Sequence, residues 1–348
     1  MLAIVLSGPT VADDSPPVAR DRFSLLTRVT EQRVQRGLTW LVENQQRRGY
    51  WRTRNAEHQT AVSAVAGLTL LASGDVLRRG RRDPSLRRLV RYLLGSQLTP
   101  SRQHPKAHGL FFDRRLSLGA ARPMHGHGFA LLFLAELYGE LHDPALRDRV
   151  ADAIRRGLDL TLRAQRPEGG WYYRPSSKRH EGSVTVTQIQ ALRAARNAGF
   201  AVPAEAIDKA VDYVKRSRDE RGGVRYTLGS GKSTPALTAA GLTVLYQSGA
   251  DSGPLRKSMF RYLETFIQIE EPEKDHYFHY THFYAAQAFH QRGGPEFDRY
   301  YARIRKVLLD RQQRDGSWVH DSIGDAWATS AALFILQVPR ALLPILQR

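Results

Sequence analysis

The sequence predicts an all-α fold in which six helical hairpins close into a ring, an (α/α)6 toroid. Amphipathic segments rich in Arg and Glu alternate with segments rich in Ala, Leu, Gly and Thr. The pattern Gln-x3-Gly-x-Trp ends a helical segment at 45–51, 165–171 and 312–318. A fixed spacing of unlike residues that recurs in this way indicates a repeat architecture. Very little of the chain has the alternating pattern of a β-strand.

Each hairpin pairs an outer amphipathic helix with an inner helix that is apolar nearly all round. The long loop 99–124, rich in Pro and Gly, separates the two helices of the second hairpin, and Gly199 and Gly249 end inner helices. The predicted outer helices are 32–46, 84–98, 146–165, 204–218, 254–269 and 296–313. The predicted inner helices are 58–73, 125–141, 183–198, 234–248, 279–291 and 325–337.

Inner helices that are apolar on all sides must be covered on both faces. Six hairpins achieve this when the inner helices form a barrel inside the outer ones, and an open α-solenoid is the alternative. We therefore expect one domain over 31–348, preceded by a linker or arm at 13–30.

Residues 1–12 are apolar and end in small residues before two Asp, which is typical of a truncated signal peptide, although the basic n-region is missing. We expect export to the periplasm or beyond, with a cytoplasmic location as the alternative. No apolar run approaches the ~18 residues that a membrane span requires.

The composition excludes some chemistries. The 348 residues contain no Cys, which rules out disulfides, thiol nucleophiles and Cys-ligated zinc. The net charge of +18 comes from 8 Lys and 44 Arg. These Arg are scattered, without interleaved aromatic residues or a nucleic-acid motif, so we expect a solvated basic surface and no specific nucleic-acid binding. Binding of another polyanion is the alternative.

The stretch Arg36-Gly37-x2-Trp40-Leu41-x3-Gln45-x3-Gly49-x-Trp51 resembles the QW repeat of the terpenoid cyclase and protein prenyltransferase α/α-toroid superfamily, and the resemblance covers about 32–338. Residues 124–130 and 169–185 are similar to segments of the prenyltransferase/squalene oxidase repeat proteins of planctomycete-type bacteria. In the superfamily, the Gln amide and the Trp ring brace neighbouring repeats, which fits their ability to satisfy and cover a helix end. The resemblance therefore implies a structural role for Gln45, Trp51, Gln165, Trp171, Gln312 and Trp318.

The motifs that carry the superfamily's reactions are absent from this sequence. It has no Asp-x-Asp-Asp acid of class II cyclases, no diphosphate-ionising Asp-Asp-x-x-Asp, and no Cys for the Asp/Cys/His zinc site of prenyltransferases. The resemblance thus implies the fold, and leaves open whether the chain is an enzyme.

The inner-helix N-termini should share one rim around the central cavity, and the rim residues are unusually polar. His276, His279 and His282 are spaced i, i+3 and i+6 and are weak candidates for a metal site, but no ligand pattern such as His-Glu-x-x-His occurs, so we predict no metal or other cofactor. The catalytic candidates are His125, Glu181, Tyr280 and Asp325. The ligand-binding candidates are His58, His125, His127, Thr185, His279, His282 and Trp327.

Six convergent helix N-termini would favour an anionic head group, and an aromatic wall below them would favour an apolar tail. The first hypothesis is therefore an amphipathic, isoprenoid-like ligand in the central cavity. The alternatives are a non-catalytic exported scaffold for a protein or polysaccharide, and an active terpenoid cyclase or prenyltransferase. A different hydrolase or lyase, which would use Glu181 or Asp325 with a His or Tyr, also stays open.

Overall fold

The computed structural model describes residues 25–74, 82–100, 105–118, 121–249, 253–320 and 322–347. This part of the chain contains twelve α-helices, which confirms the predicted all-α class. They are α1 (Arg28–Glu43), α2 (Gln59–Leu71), α3 (Asp83–Ser96), α4 (Met124–Tyr138), α5 (Pro144–Ala164), α6 (Gly182–Asn197), α7 (Ala204–Arg216), α8 (Pro235–Gln247), α9 (Gly253–Phe266), α10 (Phe278–Arg292), α11 (Gly294–Arg311) and α12 (Asp325–Gln337).

The even-numbered helices form a closed inner ring. Each contacts the next, and α12 returns to contact α2, while α1 packs on both α11 and α12. The even-numbered helices are buried almost all round and the odd-numbered ones bury one face, as their sequences require. The ring is therefore the predicted toroid and not an open solenoid.

The first helix begins earlier than the sequence predicted. The Thr27 hydroxyl accepts a hydrogen bond from the Thr30 amide at 3.2 Å, so that Thr27 caps α1 and the last residues of the predicted linker are helical. The predicted signal peptide at 1–12 lies outside the described residues.

One β-hairpin was not predicted. Strands β1 (Val224–Thr227) and β2 (Ser230–Thr234) pair antiparallel between α7 and α8. Their turn contains Gly229 with a φ of +70°, a conformation that glycine adopts without steric cost. The strands are short and mostly polar, so the apolar alternation that identifies a half-buried strand is missing from the sequence. The hairpin carries Tyr226 to the protein surface.

The barrel axis is filled by aromatic side chains. Phe129 on α4 and Phe283 on α10, which stand on opposite sides of the ring, have ring centroids 6.1 Å apart. Phe283 also contacts Phe334 at 4.5 Å and Trp327 at 6.5 Å. We call these four buried residues the aromatic layer. Phe129 and Phe283 are each sixth in their helix, so this pair lies about 8 Å below the helix N-termini at 1.5 Å per residue, while Trp327, third in α12, lies nearer the N-terminal end.

The barrel thus has two different ends. The N-terminal mouth, where the even-numbered helices begin, lies above the Phe129–Phe283 pair. The C-terminal mouth, where these helices end, is covered by the tail, residues 343–347, which packs on α6 and α10. Among the described helices, none has the length and apolar character needed to cross a membrane.

Candidate functional site

Consecutive hairpins are connected by a recurring contact that we call the repeat joint. The Gln165 amide donates to the Gly169 carbonyl at 3.0 Å in its own turn and to the Ala206 carbonyl at 2.8 Å on the next outer helix. The Trp171 indole donates to the Thr161 carbonyl at 2.7 Å. The same amide contacts join Gln45 to Gly49 and Ser85, Gln97 to Gly109 and Ala153, and Gln312 to Gly316 and Arg33. Because Arg33 lies on α1, the last of these joints closes the ring.

Five of the joints also have a latch, in which an inner-helix side chain accepts a hydrogen bond from the backbone amide at the Trp position or its equivalent. The Trp171 amide donates to the Thr185 hydroxyl at 3.0 Å, and the Phe111 amide donates to Nδ1 of His127 at 3.3 Å. Ser63, Thr238 and Thr329 do the same for Trp51, Val224 and Trp318.

Three of the ligand-binding candidates lie in these joints. Thr185, His127 and His282 are fully buried, and His282 occupies the latch position of α10, where its ring nitrogens lie 2.9 Å from the Tyr300 hydroxyl and 2.9 Å from the Gln268 carbonyl. Burial lowers the pKa of both His127 and His282 to about 4, because the charged imidazolium would lose its hydration. These side chains are therefore neutral, hydrogen-bonded parts of the ring wall and do not face the N-terminal mouth.

A chain of polar contacts does reach the N-terminal mouth. Nε2 of His125 lies 3.1 Å from the Ser183 hydroxyl, which donates to a carboxyl oxygen of Glu181 at 2.7 Å. Because the Ser183 hydrogen is directed to Glu181, Nε2 of His125 is the donor to Ser183. We call His125, Glu181, Ser183, Tyr173 and Tyr226 the mouth cluster.

Local structure explains why Glu181 is held here. It is the N-cap of α6, and its two carboxyl oxygens accept from the Ser183 amide at 2.8 Å and from the Val184 amide at 2.5 Å. The Ser183 hydroxyl bridges Glu181 and His125. Burial raises the pKa of Glu181 to about 7, against the lowering effect of these hydrogen bonds. A carboxyl with such a pKa populates both protonation states at neutral pH, as a general acid or base requires.

His125 is partly buried and neutral. Burial is the main cause that lowers its pKa to about 4, and the neighbouring His58 lowers it further. His58 itself is exposed on the rim. The pair therefore offers hydrogen-bonding imidazoles at the rim and no positive charge of its own near neutral pH.

Tyrosines surround the chain of contacts. The Tyr173 ring lies 5.8 Å from the His125 ring and 5.1 Å below the Arg122 guanidinium, and its hydroxyl is hydrogen-bonded to that of Tyr226, which is 39% exposed. Burial, then the nearby Tyr284 and Glu181, raise the pKa of Tyr280 well above its usual value. The structure thus places the candidates His58, His125, Glu181 and Tyr280 in one region.

Two buried hydroxyls at this end of the barrel lack good partners. Tyr280 and Tyr284 pack with ring centroids 5.0 Å apart, and within the described part of the chain neither hydroxyl has a hydrogen-bond partner of good geometry. A buried polar group without a partner costs about 1–3 kcal/mol. Such groups indicate a region that is not organised for stability alone.

The spaced histidines do not converge. His276 and His279 line a separate crevice of about 400 Å³ between α10, α11 and the loop before α12. The ring centroids of His279 and His320 are 5.6 Å apart there. His282 points into the fifth joint instead. Burial, with a smaller effect of His320, lowers the pKa of His279 to about 3. Among the residues with described positions, no three His, Cys, Asp or Glu are grouped to hold a metal.

The remaining two candidates are separate from the mouth cluster. Asp325 accepts from the His320 amide at 3.3 Å, beside the crevice, and Trp327 belongs to the buried aromatic layer. Sequence reasoning missed Glu136, a buried carboxyl near the C-terminal mouth whose pKa burial raises to about 7. The sequence signal for this site was an acidic residue in the apolar second half of α4.

Comparison with known proteins gives the fold. Neither a protein-family profile nor a curated protein sequence matches the chain. A variant of the type II terpene cyclase MstE from Scytonema, in complex with merosterolic acid A, is similar with a TM-score of 0.62 and 13% identity, over 91% of this chain and 99% of that one. An inactive variant of the α-1,6-mannanase GH76A of Salegentibacter sp., in complex with α-1,6-mannotetrose, has a TM-score of 0.63 and 9% identity, over 91% and 100%.

The mannosidase Bt3792 from Bacteroides thetaiotaomicron is similar as well, with a TM-score of 0.62 and 10% identity over 89% of this chain and 97% of that one. At these identities the likeness shows a shared fold, and the terpene cyclase agrees with the toroid that the sequence predicts. Because the same fold carries unrelated reactions in these proteins, function has to be argued from the residues of the site.

Proposed function

We propose that this protein binds a hydroxyl-rich ligand, a segment of a glycan, in the N-terminal mouth, and that the protonation of Glu181 is coupled to ligand binding through Ser183. The observation that carries the proposal is the chain of contacts from His125 through Ser183 to Glu181. It leads from the partly exposed rim to a fully buried carboxyl with a pKa of about 7. Glu181 would therefore act through the Ser183 hydroxyl, without touching the ligand itself.

The shape and lining of the mouth support a sugar. The Phe129–Phe283 pair, about 8 Å below the helix N-termini, closes the barrel axis to a long chain, so a ligand at this end would bind at the rim. Tyr173 and Tyr226 present an apolar face and a hydrogen-bonding hydroxyl on the same side chain, which suits the alternating C–H and O–H surface of a sugar. Arg122 on the rim adds further hydrogen-bond donors.

The isoprenoid-like ligand inferred from the sequence is the second candidate. The aromatic layer favours it, because a hydrocarbon tail packs well on such rings, and a variant of the similar terpene cyclase MstE is in complex with geranylgeranyl dihydroxybenzoate. A long tail would require Phe129 and Phe283 to separate. Cyclisation or prenyl transfer is less well supported than binding, since a carboxyl with a pKa of about 7 is a weak acid for protonating an alkene.

Calorimetric titration of the whole protein with α-1,6-mannotetraose and other short glycans, and separately with geranylgeranyl diphosphate, tests the two candidates. We expect glycan binding that Ser183→Ala and Tyr226→Phe each weaken about three- to tenfold, the effect of one lost hydrogen bond. We also expect the affinity to change with pH near 7, and Glu181→Gln to remove that change.

Glu136→Gln is the matched control, because it replaces a second buried carboxyl with a similar pKa at the opposite end of the barrel. It should leave affinity and its pH dependence as they are. A protein that binds none of the glycans, or that keeps wild-type affinity in both mouth variants, refutes the proposal. Tight binding of the diphosphate alone would establish the second candidate.

A further inference from the structure

The C-terminal mouth is closed by the protein's own chain. After α12 a short 3₁₀ turn (Val338–Arg340) leads into the tail, whose residues Leu343, Ile345 and Leu346 are almost completely buried. The tail packs on α6 and α10, which are not neighbours in the ring, so it crosses the opening. This region lies at the opposite end of the barrel from the mouth cluster.

The mouth holds the tail by its backbone. The Ile345 amide donates to a carboxyl oxygen of Glu136 at 3.2 Å, and the Gln247 amide donates to the Ile345 carbonyl at 3.2 Å. The Gln291 amide donates to the Leu346 carbonyl at 3.0 Å. Side chains from α4, α8 and α10 thus pair with main-chain groups while Ile and Leu side chains are buried. Pro344–Leu346 form a 3₁₀ turn, so the mouth holds a short turn of chain by its main-chain groups.

A cluster of amides lies beneath the tail. Gln190 on α6 donates to Gln287 at 3.0 Å and to Gln247 at 3.2 Å, so that the three side chains meet near the axis. The amide oxygen of Gln190 is buried and, within the described residues, has no hydrogen-bond partner. An unpaired buried amide oxygen costs about 1–3 kcal/mol. The tail therefore complements this mouth incompletely, and an occupant with a further donor would pair better.

The tail begins at a strained hinge. Arg340 is fixed, since it donates to the Ser73 carbonyl at 3.0 Å and pairs with Glu31. The next residue, Ala341, has a φ of +49°, a left-handed conformation that costs about 1–2 kcal/mol for a residue with a Cβ. Leu342, which follows, is 45% exposed. Release of the tail would relieve this strain without disturbing the anchored part of the chain.

We propose that the C-terminal mouth is a binding site for a short peptide in a 3₁₀ turn with Ile and Leu side chains, and that the tail is its resident, displaceable occupant. The recognition is by main-chain hydrogen bonds to Glu136, Gln247 and Gln291 and by burial of two or three aliphatic side chains. The site is independent of ligand binding in the N-terminal mouth.

The test uses the full chain with a protease site introduced around Leu342, which is accessible. The protein is cut after folding, and a fluorescent peptide with the sequence of residues 342–347 is added in excess. We expect the cut tail to stay bound at high protein concentration and to be replaced by the labelled peptide, as measured by fluorescence anisotropy and intact mass. A scrambled peptide should not exchange.

Two variants test whether the hydrogen bonds from the glutamine side chains hold the tail. Gln247→Ala and Gln291→Ala should each speed loss of the cut tail about three- to tenfold, as expected for one hydrogen bond. Gln313→Ala, at an exposed position outside this mouth, is the control and should not change the rate. A cut tail that never exchanges, or a protein that unfolds when the tail leaves, would show that the tail is a fixed part of the core and would overturn the proposal.

Discussion

Buried polar groups are hydrogen-bonded differently in the repeat joints and at the N-terminal mouth. In the joint at Gln165, the amide, the Trp171 indole and the Thr185 hydroxyl all have well-placed partners. At the N-terminal mouth, Glu181 is a buried carboxyl with a pKa of about 7, and the buried Tyr280 hydroxyl lacks a good partner. These three groups of the joint therefore stabilise the ring, while the mouth keeps polar groups that reduce stability and are typical of functional sites.

The fifth joint is the exception within the ring. Its turn has no glycine. Ile267 stands where four of the other joints have Gln and the fourth joint has Arg218. Here Arg303 on α11 pairs with both carboxyl oxygens of Glu270, at 2.6 and 2.7 Å, in an exposed ion pair. The crevice lined by His276 and His279 lies at this place. The crevice is also lined by Trp318 of the neighbouring regular joint.

The largest effect should follow from changing a joint glycine. Gly169 has a φ of +95°, and a Cβ on it would lie 2.1 Å from the Lys209 carbonyl oxygen on the next outer helix. Gly169→Ala should lower the free energy of unfolding by about 3 kcal/mol or more, because the left-handed strain adds to displacement of a packed backbone. Urea unfolding measures it.

The control for this substitution is Gly199→Ala. Gly199 has a similar φ of +88° but open space around its Cβ position, so only the strain of about 1–2 kcal/mol should appear. Equal effects of the two substitutions would mean that the joint contact does not stabilise the ring.

The fold could be predicted from the sequence because its determinants are local. The apolar inner helices and the repeated Gln, Gly and Trp residues define each hairpin without knowledge of its neighbours, and the joint at Gln312 closes the ring through the same contact as the others. Helix ends were missed by a few residues because capping groups such as Thr27 decide them.

The site was harder to predict because it depends on how each helix is rotated. His125 and His127 are two residues apart on α4, yet one faces the mouth and the other a joint, since each residue turns the helix by about 100°. An alignment of the six inner helices with one another would have found the latch position, which is occupied by Ser or Thr in four of them and by His127 and His282 in the others. The link between Ser183 and His125 depends on packing between helices and has no sequence signal.

A second prediction concerns the joints whose latch is a histidine. The pKa of His127 is about 4 in the folded protein and near 6.5 in the unfolded chain. The unfolded state therefore binds the extra proton first, and this contribution to stability is complete above pH 6.5 and is lost as the pH falls towards 4. Glu181 and Glu136 act in the opposite sense, since their raised pKa values favour folding below about 4.5 and this gain is lost as the pH rises to about 7.

His127→Gln, which keeps an acceptor for the Phe111 amide, separates these effects. Between pH 6.5 and 4.5 the free energy of unfolding should fall less steeply with decreasing pH in this variant than in the wild type. The two slopes should differ by about one proton, or roughly 1.4 kcal/mol per pH unit. His276→Gln, which replaces an exposed imidazole outside the joints, should leave the slope unchanged. An unchanged slope in His127→Gln would show that this histidine is not the acid-sensitive latch.

The smallest effect, and the one of opposite sign, is expected at the mouth. Tyr280→Phe removes a buried hydroxyl that lacks a good partner while keeping the ring packed on Tyr284, so it should stabilise the protein by about 1 kcal/mol. Tyr300→Phe is the matched control in a joint, because the Tyr300 hydroxyl is buried and bonded to His282 at 2.9 Å, and its loss should destabilise by about 1 kcal/mol. Thermal unfolding measures whether each variant is stabilised or destabilised. If both variants are destabilised equally, the Tyr280 hydroxyl has a partner, and the contrast between a bonded wall and an under-bonded mouth does not hold.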